Sequence, residues 1–267
     1  MADSHIVCQR DQAMSEINSV LDLIEYVALV LGLNTGNNYR YRLSLGDRKD
    51  DKKYYKDDQA WDFAENVLRT VLIERKANYF EAEKEAAFYG PKIDIQMKNF
   101  AGKEDTAFTV QYDFVMPKRF QLTYKDKDGQ EKEPIVIHRS SIGAIERTMA
   151  FLIEHYAGAF PVWLSPVQVA VIPISDRHID YSRKLEADLK GAGIRVQVDD
   201  SSERMNMKIR QAQLEKIPYM LVIGDKEVDS DVVSVRVRTG QQVTLPFTEF
   251  KSAIQKAVVA KEKELKL

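Results

Sequence analysis

The stretch PIVIHRSSIGAIERTMAFLIEHY, from Pro134 to Tyr156, joins an extended apolar segment to an apolar helix. The segment ends at His138, a short turn follows, and Glu146 and Arg147 fall at the beginning of the helix. Apolar residues at helical spacing predict a buried stripe, whose members are Ile142, Ile145, Met149, Leu152 and Tyr156. Arg147 lies off this stripe, so we expect it to point away from the core.

The residues before this stretch predict an α+β domain. Helical spacing covers 12–31 and 60–78, and an alternating pattern typical of a strand lies between them. From Phe88 onward three extended runs follow one another, and Gly90-Pro91 and Asp128-Gly129 supply turn residues. We therefore expect antiparallel strands backed by helices.

A second domain with a different pattern begins after residue 162. Apolar strands such as VQVAVIPI and YMLVIGD alternate there with helical segments. This alternation is typical of βαβ units and predicts an α/β domain with a mostly parallel sheet. The sequence thus predicts two domains, 1–162 and 163–267.

Composition excludes several classes of protein. The 267 residues carry a formal net charge of −2, so no global basic field indicates nucleic-acid binding, and contact with RNA has to be local. A single cysteine, Cys8, allows no intrachain disulfide and favours a reducing compartment. No apolar run reaches the length of a membrane span and no signal-peptide pattern opens the chain, so we expect a soluble, cytoplasmic protein.

A few polar residues stand out as candidate site residues, each with an ordinary structural alternative. His5 and His138 are each most simply explained as hydrogen-bonded structural residues. Together they could supply two imidazoles to zinc, but spacing cannot show that they meet, and two nitrogens do not complete a catalytic zinc site. Arg147, at a helix start just after Gly143, is well placed for an anionic group such as a triphosphate. An ion pair with Glu154 is its structural alternative.

Other candidates are weaker. Tyr89 and Lys92 flank a tight turn and suit small-molecule binding, although the rim of any sheet would look the same. Gln111 and Asp113 share one strand face, which is usually just the solvated side. The second domain predicts a modest positive surface, formed by Arg204, Lys208, Arg210, Arg236 and Arg238.

Taken together, these segments resemble the C-terminal part of the threonyl-tRNA synthetases, which are class II aminoacyl-tRNA synthetases. ADSHIVC is similar to the strand after the second class-defining motif, and FYGPKIDI and TVQYDF to the threonine-pocket strands. VIHRSSIGAIER is similar to motif 3, and FPVWLSPVQVAVIPI and PYMLVIGDKEV to the anticodon-binding domain. The order and separations match along almost the whole chain.

The resemblance implies an ATP-dependent threonine–tRNA ligase and assigns roles to the candidate residues. His5 and His138 are expected to bind Zn²⁺, which in the family also takes a cysteine ligand and the amino and hydroxyl groups of threonine. The other threonine-pocket residues are then Asp3, Tyr89, Gln111 and Lys92. ATP with Mg²⁺ is expected to bind Arg147, supported by Glu146, with Gly143 nearby.

For tRNA(Thr), the resemblance implies that the anticodon is read by Ser202, Arg210, Glu227 and Arg236. Ser202 departs from the asparagine that the family often has, and Ala144 replaces a frequent serine in motif 3. Motif 1 with the dimer interface, the motif 2 arginines and the zinc cysteine have no counterpart in these 267 residues. We therefore expect the isolated chain to be inactive, and expect a homodimer for a full-length enzyme.

Two alternatives remain at this stage. A prolyl, glycyl or histidyl relative would share the second domain, but the paired histidines and FYGPK argue against it. A tRNA-binding or regulatory module without catalysis is favoured by the missing motifs, while the retained His5, His138 and Arg147 argue against it.

Overall fold

The computed structural model describes residues 2–264. Contacts divide the chain into two compact units, 1–155 and 156–267, each with its own core. The division that we predict from the sequence, after residue 162, lies a few residues further along. None of the helices in the described part of the chain is both long and apolar enough to cross a membrane.

The first unit combines strands with helices, as the sequence predicts. Its strands are β1 (Ala2–Cys8), β2 (Tyr39–Ser44), β3 (Tyr79–Ala82), β4 (Lys92–Lys98), β5 (Glu104–Asp113), β6 (Tyr124–Lys125), β7 (Glu131–Lys132) and β8 (Ile135–Gly143). Its helices are α1 (Ala13–Val30), α2 (Asp58–Glu74), α3 (Met116–Arg119) and α4 (Ile145–Tyr156). A short 3₁₀ turn, Arg10–Gln12, precedes α1.

Six of these strands form one sheet in the order β1-β8-β5-β4-β2-β3, and β6 and β7 form a separate hairpin. All neighbours in the large sheet are antiparallel except β2 and β3. α1 packs against β8 and β5, and α2 packs against β4. Fully buried side chains such as Ile17, Leu68, Ile93 and Val110 fill the layer on this side. The α+β prediction is therefore confirmed.

The predicted buried stripe of α4 is wrong. Within this helix only Thr148 and Leu152 are buried, whereas Ile145 and Met149 are more than half exposed. Ile142, which precedes the helix, is also exposed. Helical spacing identified the helix correctly, but periodicity does not reveal which face of a helix meets the core.

The second unit is an α/β domain with a five-stranded sheet in the order β10-β9-β11-β12-β13. Its strands are β9 (Val169–Pro173), β10 (Val196–Val198), β11 (Tyr219–Ile223), β12 (Val232–Val237) and β13 (Gln242–Pro246). Its helices are α5 (Ile179–Gly191), α6 (Met205–Leu214), α7 (Asp225–Ser230) and α8 (Phe247–Val259), and a 3₁₀ turn, Asp176–His178, precedes α5. β10, β9 and β11 are parallel, and β12 and β13 add antiparallel neighbours.

Both faces of this second sheet are covered, which explains its continuous apolar runs. Val171 and Leu221 pack with Leu185 of α5 and Phe250 of α8. On the other face, Ile172 and Met220 and their neighbours pack with α6. The sheet is parallel only where long helical crossovers join its strands, and the short α7 connection lets β12 return antiparallel.

Two members of the predicted positive surface are not free for RNA. Lys208 is only 6% exposed and donates through Nζ to the carbonyl oxygen of Asp199. Arg238 donates to the carbonyl oxygens of Lys216, Ala159 and Phe160, and burial lowers its pKa. Both side chains serve the packing of the second unit, because long basic side chains can satisfy buried carbonyl groups.

Candidate functional site

The face of the first sheet that is turned away from α1 and α2 carries a row of polar side chains. Cross-strand pairing places His5 opposite His138, His138 opposite Gln111, and Gln111 opposite Lys92. Directly opposed residues share a sheet face, so these four side chains line one continuous row over β1, β8, β5 and β4. The register thus answers the question that spacing left open, because the two histidines meet.

Asp3, His5 and His138 form a cluster at the β1 end of this row. One potential ligand atom from each lies within 4.8 Å of the other two. The two imidazole rings are 4.4 Å apart between centroids and meet edge to face. Asp3 and His5 are exposed and His138 is partly buried, so the cluster is open to a ligand.

Cys8 does not belong to this cluster. It is three residues from His5 and therefore on the other face of β1, where it is buried opposite Ile135. Burial, with smaller contributions from Glu16 and Asp11, raises the pKa of its thiol to about 11. A buried thiol with a raised pKa is a poor metal ligand.

His138 and Gln111 are held by their neighbours. Nε2 of His138 lies 2.7 Å from Oδ2 of Asp113, and the Tyr89 ring stacks on the imidazole at 4.8 Å between centroids. The Tyr89 hydroxyl donates to Oε1 of Gln111 at 2.5 Å. Burial, followed by the negative charges of Asp113, Asp3 and Asp94, raises the pKa of Tyr89 to about 12. The phenol therefore stays protonated as a hydrogen-bond donor at neutral pH.

Lys92, at the other end of the row, is held by a buried carboxylate. Its Nζ lies 3.1 Å from Oδ2 of Asp94, which is fully buried. Asp94 also accepts hydrogen bonds from Arg42, Ser44 and Thr109 at 2.8 to 2.9 Å. Burial of a carboxylate is tolerable only with such a set of donors, and the result is a fixed ammonium at this end of the row.

The predicted ATP residues are not brought together with the histidines. Arg147 is exposed and donates to the carbonyl oxygen of Thr106. It also lines a cavity of about 110 Å³ with Met97 and Asp105. Glu146 is exposed in the first turn of α4. The predicted ion pair between Arg147 and Glu154 is not what holds Arg147, and Glu154 instead accepts from the Phe100 amide.

Gly143 ends β8 at a point where a side chain would not fit. Its φ is +72°, and a Cβ atom would lie 1.9 Å from the carbonyl oxygen of Ala107. Only glycine combines that backbone conformation with such a close approach. The backbone conformation and the close approach to Ala107 therefore explain a glycine at this position without any contact with ATP.

The second unit holds a cavity of about 340 Å³ against the α6 side of its sheet. Arg236 lines it together with Met205, Ile209 and Thr244. The Nε atom of Arg236 is buried and has no hydrogen-bond partner among the described residues. A buried donor without a partner is costly, which points to a ligand group that supplies the acceptor.

The other three predicted anticodon residues do not line this cavity. Glu227 is buried, and its carboxylate accepts hydrogen bonds from the Ser234 hydroxyl at 2.6 Å and from the Gly224 amide at 2.9 Å. Burial pushes the pKa of Glu227 upward, but the hydrogen bonds from Ser234 and Gly224, together with its own backbone amide and the charge of Lys226, lower it. Ser202 and Arg210 are exposed, before and on α6, and do not line the cavity.

Comparison with known proteins accounts for both units. Residues 1–156 match the family described as the tRNA synthetase class II core domain (G, H, P, S and T). Residues 168–257 match the anticodon binding domain family. The chain belongs to the class II aminoacyl-tRNA synthetases.

Within this family the similarity is to threonyl-tRNA synthetases. The threonine–tRNA ligase of Clostridium perfringens is 44% identical over 98% of this chain, which spans 41% of that protein. The RNA-binding-domain structure of the threonyl-tRNA synthetase from Cryptosporidium parvum superimposes with a TM-score of 0.86 at 33% identity, covering 95% of this chain and 62% of that one. A putative threonyl-tRNA synthetase from Aeropyrum pernix gives 0.76 at 28%, with 99% and 64% covered. The resemblance to the C-terminal part of threonyl-tRNA synthetases is confirmed.

Asp113 and Asp94 are the site residues that the sequence reasoning missed. Both lie on the polar face, and alternation along a strand predicts this. Asp113 is two residues after Gln111, and Asp94 is two residues after Lys92. From the sequence, the face that carries Gln111 and Asp113 is expected to be the solvated side of a sheet. Burial of both carboxylates, at 0% exposure, shows instead that this face forms an organised polar layer.

The donor set of the cluster fits a zinc ion. Two imidazoles and a carboxylate are ordinary zinc ligands, three protein ligands are typical of a catalytic zinc, and the exposed side of the cluster leaves room for a further ligand. Zinc binding by the 267-residue chain should therefore be lost in His5→Ala and in His138→Ala, as measured by competition with a chromogenic chelator. Cys8→Ala is the matched control and should bind zinc as wild type does. Equal zinc affinity in wild type and both histidine variants would contradict this assignment.

Proposed function

We propose that this chain carries the threonine pocket and the anticodon-binding domain of a threonine–tRNA ligase, with a zinc ion held by His5 and His138. The observation that carries the proposal is the cross-strand pair of histidines with Asp3 beside it, on a polar sheet face that also presents Tyr89, Gln111 and Lys92. A tRNA-binding module without catalysis would have no need of this cluster.

In the proposed pocket, each side chain has a defined task. Zinc would supply Lewis-acid positions for the amino and hydroxyl groups of threonine. One oxygen of the Asp3 carboxylate would bind zinc, and the other would accept a hydrogen bond from the amino group. Tyr89 and Gln111, which are already hydrogen-bonded to each other, would form the adjoining wall. Lys92, fixed by Asp94, would face the carboxylate or the reacting phosphate.

Arg147 is the residue that we propose for the ATP phosphates. Its contact with the Thr106 carbonyl oxygen would be exchanged for a phosphate, and the loss of one such hydrogen bond costs about 1 kcal/mol. An arginine–phosphate pair offers two charge-assisted bonds in return. Glu146 directly precedes Arg147, and Gly143 ends β8, so both would lie near the bound phosphates. Mg²⁺ would bind together with ATP.

The reaction of the whole enzyme would join threonine to ATP as an adenylate and then transfer threonine to the ribose of tRNA(Thr). The chain's residues act in this account by binding and orienting, which can supply a large part of a rate enhancement without a covalent enzyme intermediate. The same proposal includes a homodimeric enzyme and a location in the cytoplasm.

In the second unit we propose that the cavity beside α6 receives an anticodon base. The buried, unpartnered Nε of Arg236 is the donor that such a base would satisfy, and apolar Met205 and Ile209 offer a surface for its ring. Arg210 and Ser202 would contact the neighbouring nucleotides from the exposed side of α6.

Threonine binding tests the pocket directly. With zinc present, calorimetry should show threonine binding, serine binding weaker by roughly 10- to 200-fold, and valine weaker by about 10⁴-fold, that is, below detection. Valine is the most informative comparison, since it has the shape of threonine with a methyl group in place of the hydroxyl. Removal of zinc with a chelator should abolish threonine binding. Valine bound as tightly as threonine would contradict the proposed pocket.

Anticodon reading is tested with two variants of equal charge change. Arg236→Ala should reduce the preference for tRNA(Thr) over a tRNA with altered anticodon bases by roughly 10-fold or more, because one buried base contact is lost. Lys256→Ala removes an exposed charge from α8, on the other side of the sheet, and should leave that preference unchanged. Filter binding at fixed salt measures both. A wild-type chain with equal affinity for the two tRNAs would remove anticodon reading from the proposal.

A further inference from the structure

The His138 ring is held on several sides, and this restraint bears on which of its nitrogens can bind a metal. The Tyr89 ring lies nearly parallel to it, with an interplanar angle of 21°. The imidazole rings of His138 and His5 meet edge to face. Nε2 of His138 faces Oδ2 of Asp113 at 2.7 Å. A flip of the imidazole would break the contact with Asp113.

The Asp113 carboxylate is itself immobilised. Its Oδ1 atom accepts hydrogen bonds from the backbone N–H groups of Val115 and Met116, both at 2.8 Å. The residue is fully buried. With one oxygen held by two backbone donors at the beginning of α3, the other oxygen has a fixed direction toward His138.

These contacts determine the chemistry of the histidine. A carboxylate oxygen can only accept, so the hydrogen between the two groups belongs to Nε2. An imidazole with its hydrogen on Nε2 presents its lone pair at Nδ1. Among the described residues, the cluster within 4.8 Å consists of Asp3, His5 and His138, and Asp113 is not part of it. The carboxylate thus approaches His138 from outside the cluster.

We propose that Asp113 is the positioning residue of the metal site, which fixes His138 as the Nε2–H tautomer and makes Nδ1 its metal-binding atom. The proposal rests on the proposed function, because that function supplies the metal. It adds a residue that does not touch the metal and names the ligand atom. A carboxylate behind a metal-binding histidine orients the ring and raises its basicity.

The first test needs no variant and no metal. Long-range ¹H–¹⁵N spectra of the metal-free, ¹⁵N-labelled chain distinguish the two tautomers, and the His138→Gln spectrum assigns the signal among the four histidines. We expect the hydrogen of His138 on Nε2. A hydrogen on Nδ1 in the wild-type chain would overturn the proposal.

The second test compares two neutralised carboxylates of the first unit, one behind His138 and one outside the site. Asp113→Asn keeps an oxygen for the Val115 and Met116 amides but can turn an amide donor toward Nε2, which favours the wrong tautomer. Its zinc affinity should fall by about 10- to 100-fold. Glu65→Gln is the control, since Glu65 of α2 is partly buried, accepts hydrogen bonds from Gly46 and Arg48, and takes no part in the site. Its zinc affinity should stay within about 3-fold of wild type, the margin that we allow for small context effects.

The two accounts fail in different ways. If wild type and Asp113→Asn bind zinc equally well, Asp113 has no positioning role, and the metal site of the proposed function stands. If the wild-type chain binds no zinc, the metal site itself is wrong, and the ligand assignment of His138 is wrong with it. A drop in zinc affinity for Asp113→Asn together with an Nε2–H signal in wild type supports the proposal.

Discussion

The candidate site depends on one pairing register, that of β1 with β8. In this register His5 lies opposite His138, and Asp3, two residues before His5, lies on the same face. A shift by a single residue would turn Asp3 and His5 away from His138 and place Ile6 and Cys8 on the polar face instead, because side chains alternate between faces. Ile135 and Ile137 of β8 fix the register from the opposite face, where they are buried. The cluster of Asp3, His5 and His138 is therefore a consequence of core packing on the opposite face.

The rest of the polar layer extends from that pair across the sheet. Each strand adds one side chain to the row. Buried Asp113 and Asp94 hold His138 and Lys92, and half-buried Tyr89 is hydrogen-bonded to Gln111. Buried carboxylates that are fully hydrogen-bonded form rigid supports for more exposed groups. In this site the more exposed side chains are available to ligands, and the buried side chains hold them in position.

Much of the fold could be predicted from the sequence, and much of the site could not. The strands, the helices and the two-domain order follow from periodicity and turn residues, and the resemblance of VIHRSSIGAIER and FYGPKIDI to a known family named the candidate residues. Spacing could not reveal that His5 and His138 meet, since strand pairing is a long-range property. Nor could it show which face of α4 is buried, or that Lys208 and Arg238 are used inside the second unit.

The central claim is that the β1–β8 register creates a metal site within the amino-acid pocket. Its most direct test is a crystal structure of the chain grown with zinc and measured above and below the zinc absorption edge. The account predicts an anomalous peak between the imidazoles of His5 and His138, bonded to Nδ1 of His138. A well-ordered structure without a peak at this position, or with zinc only elsewhere on the surface, would contradict it.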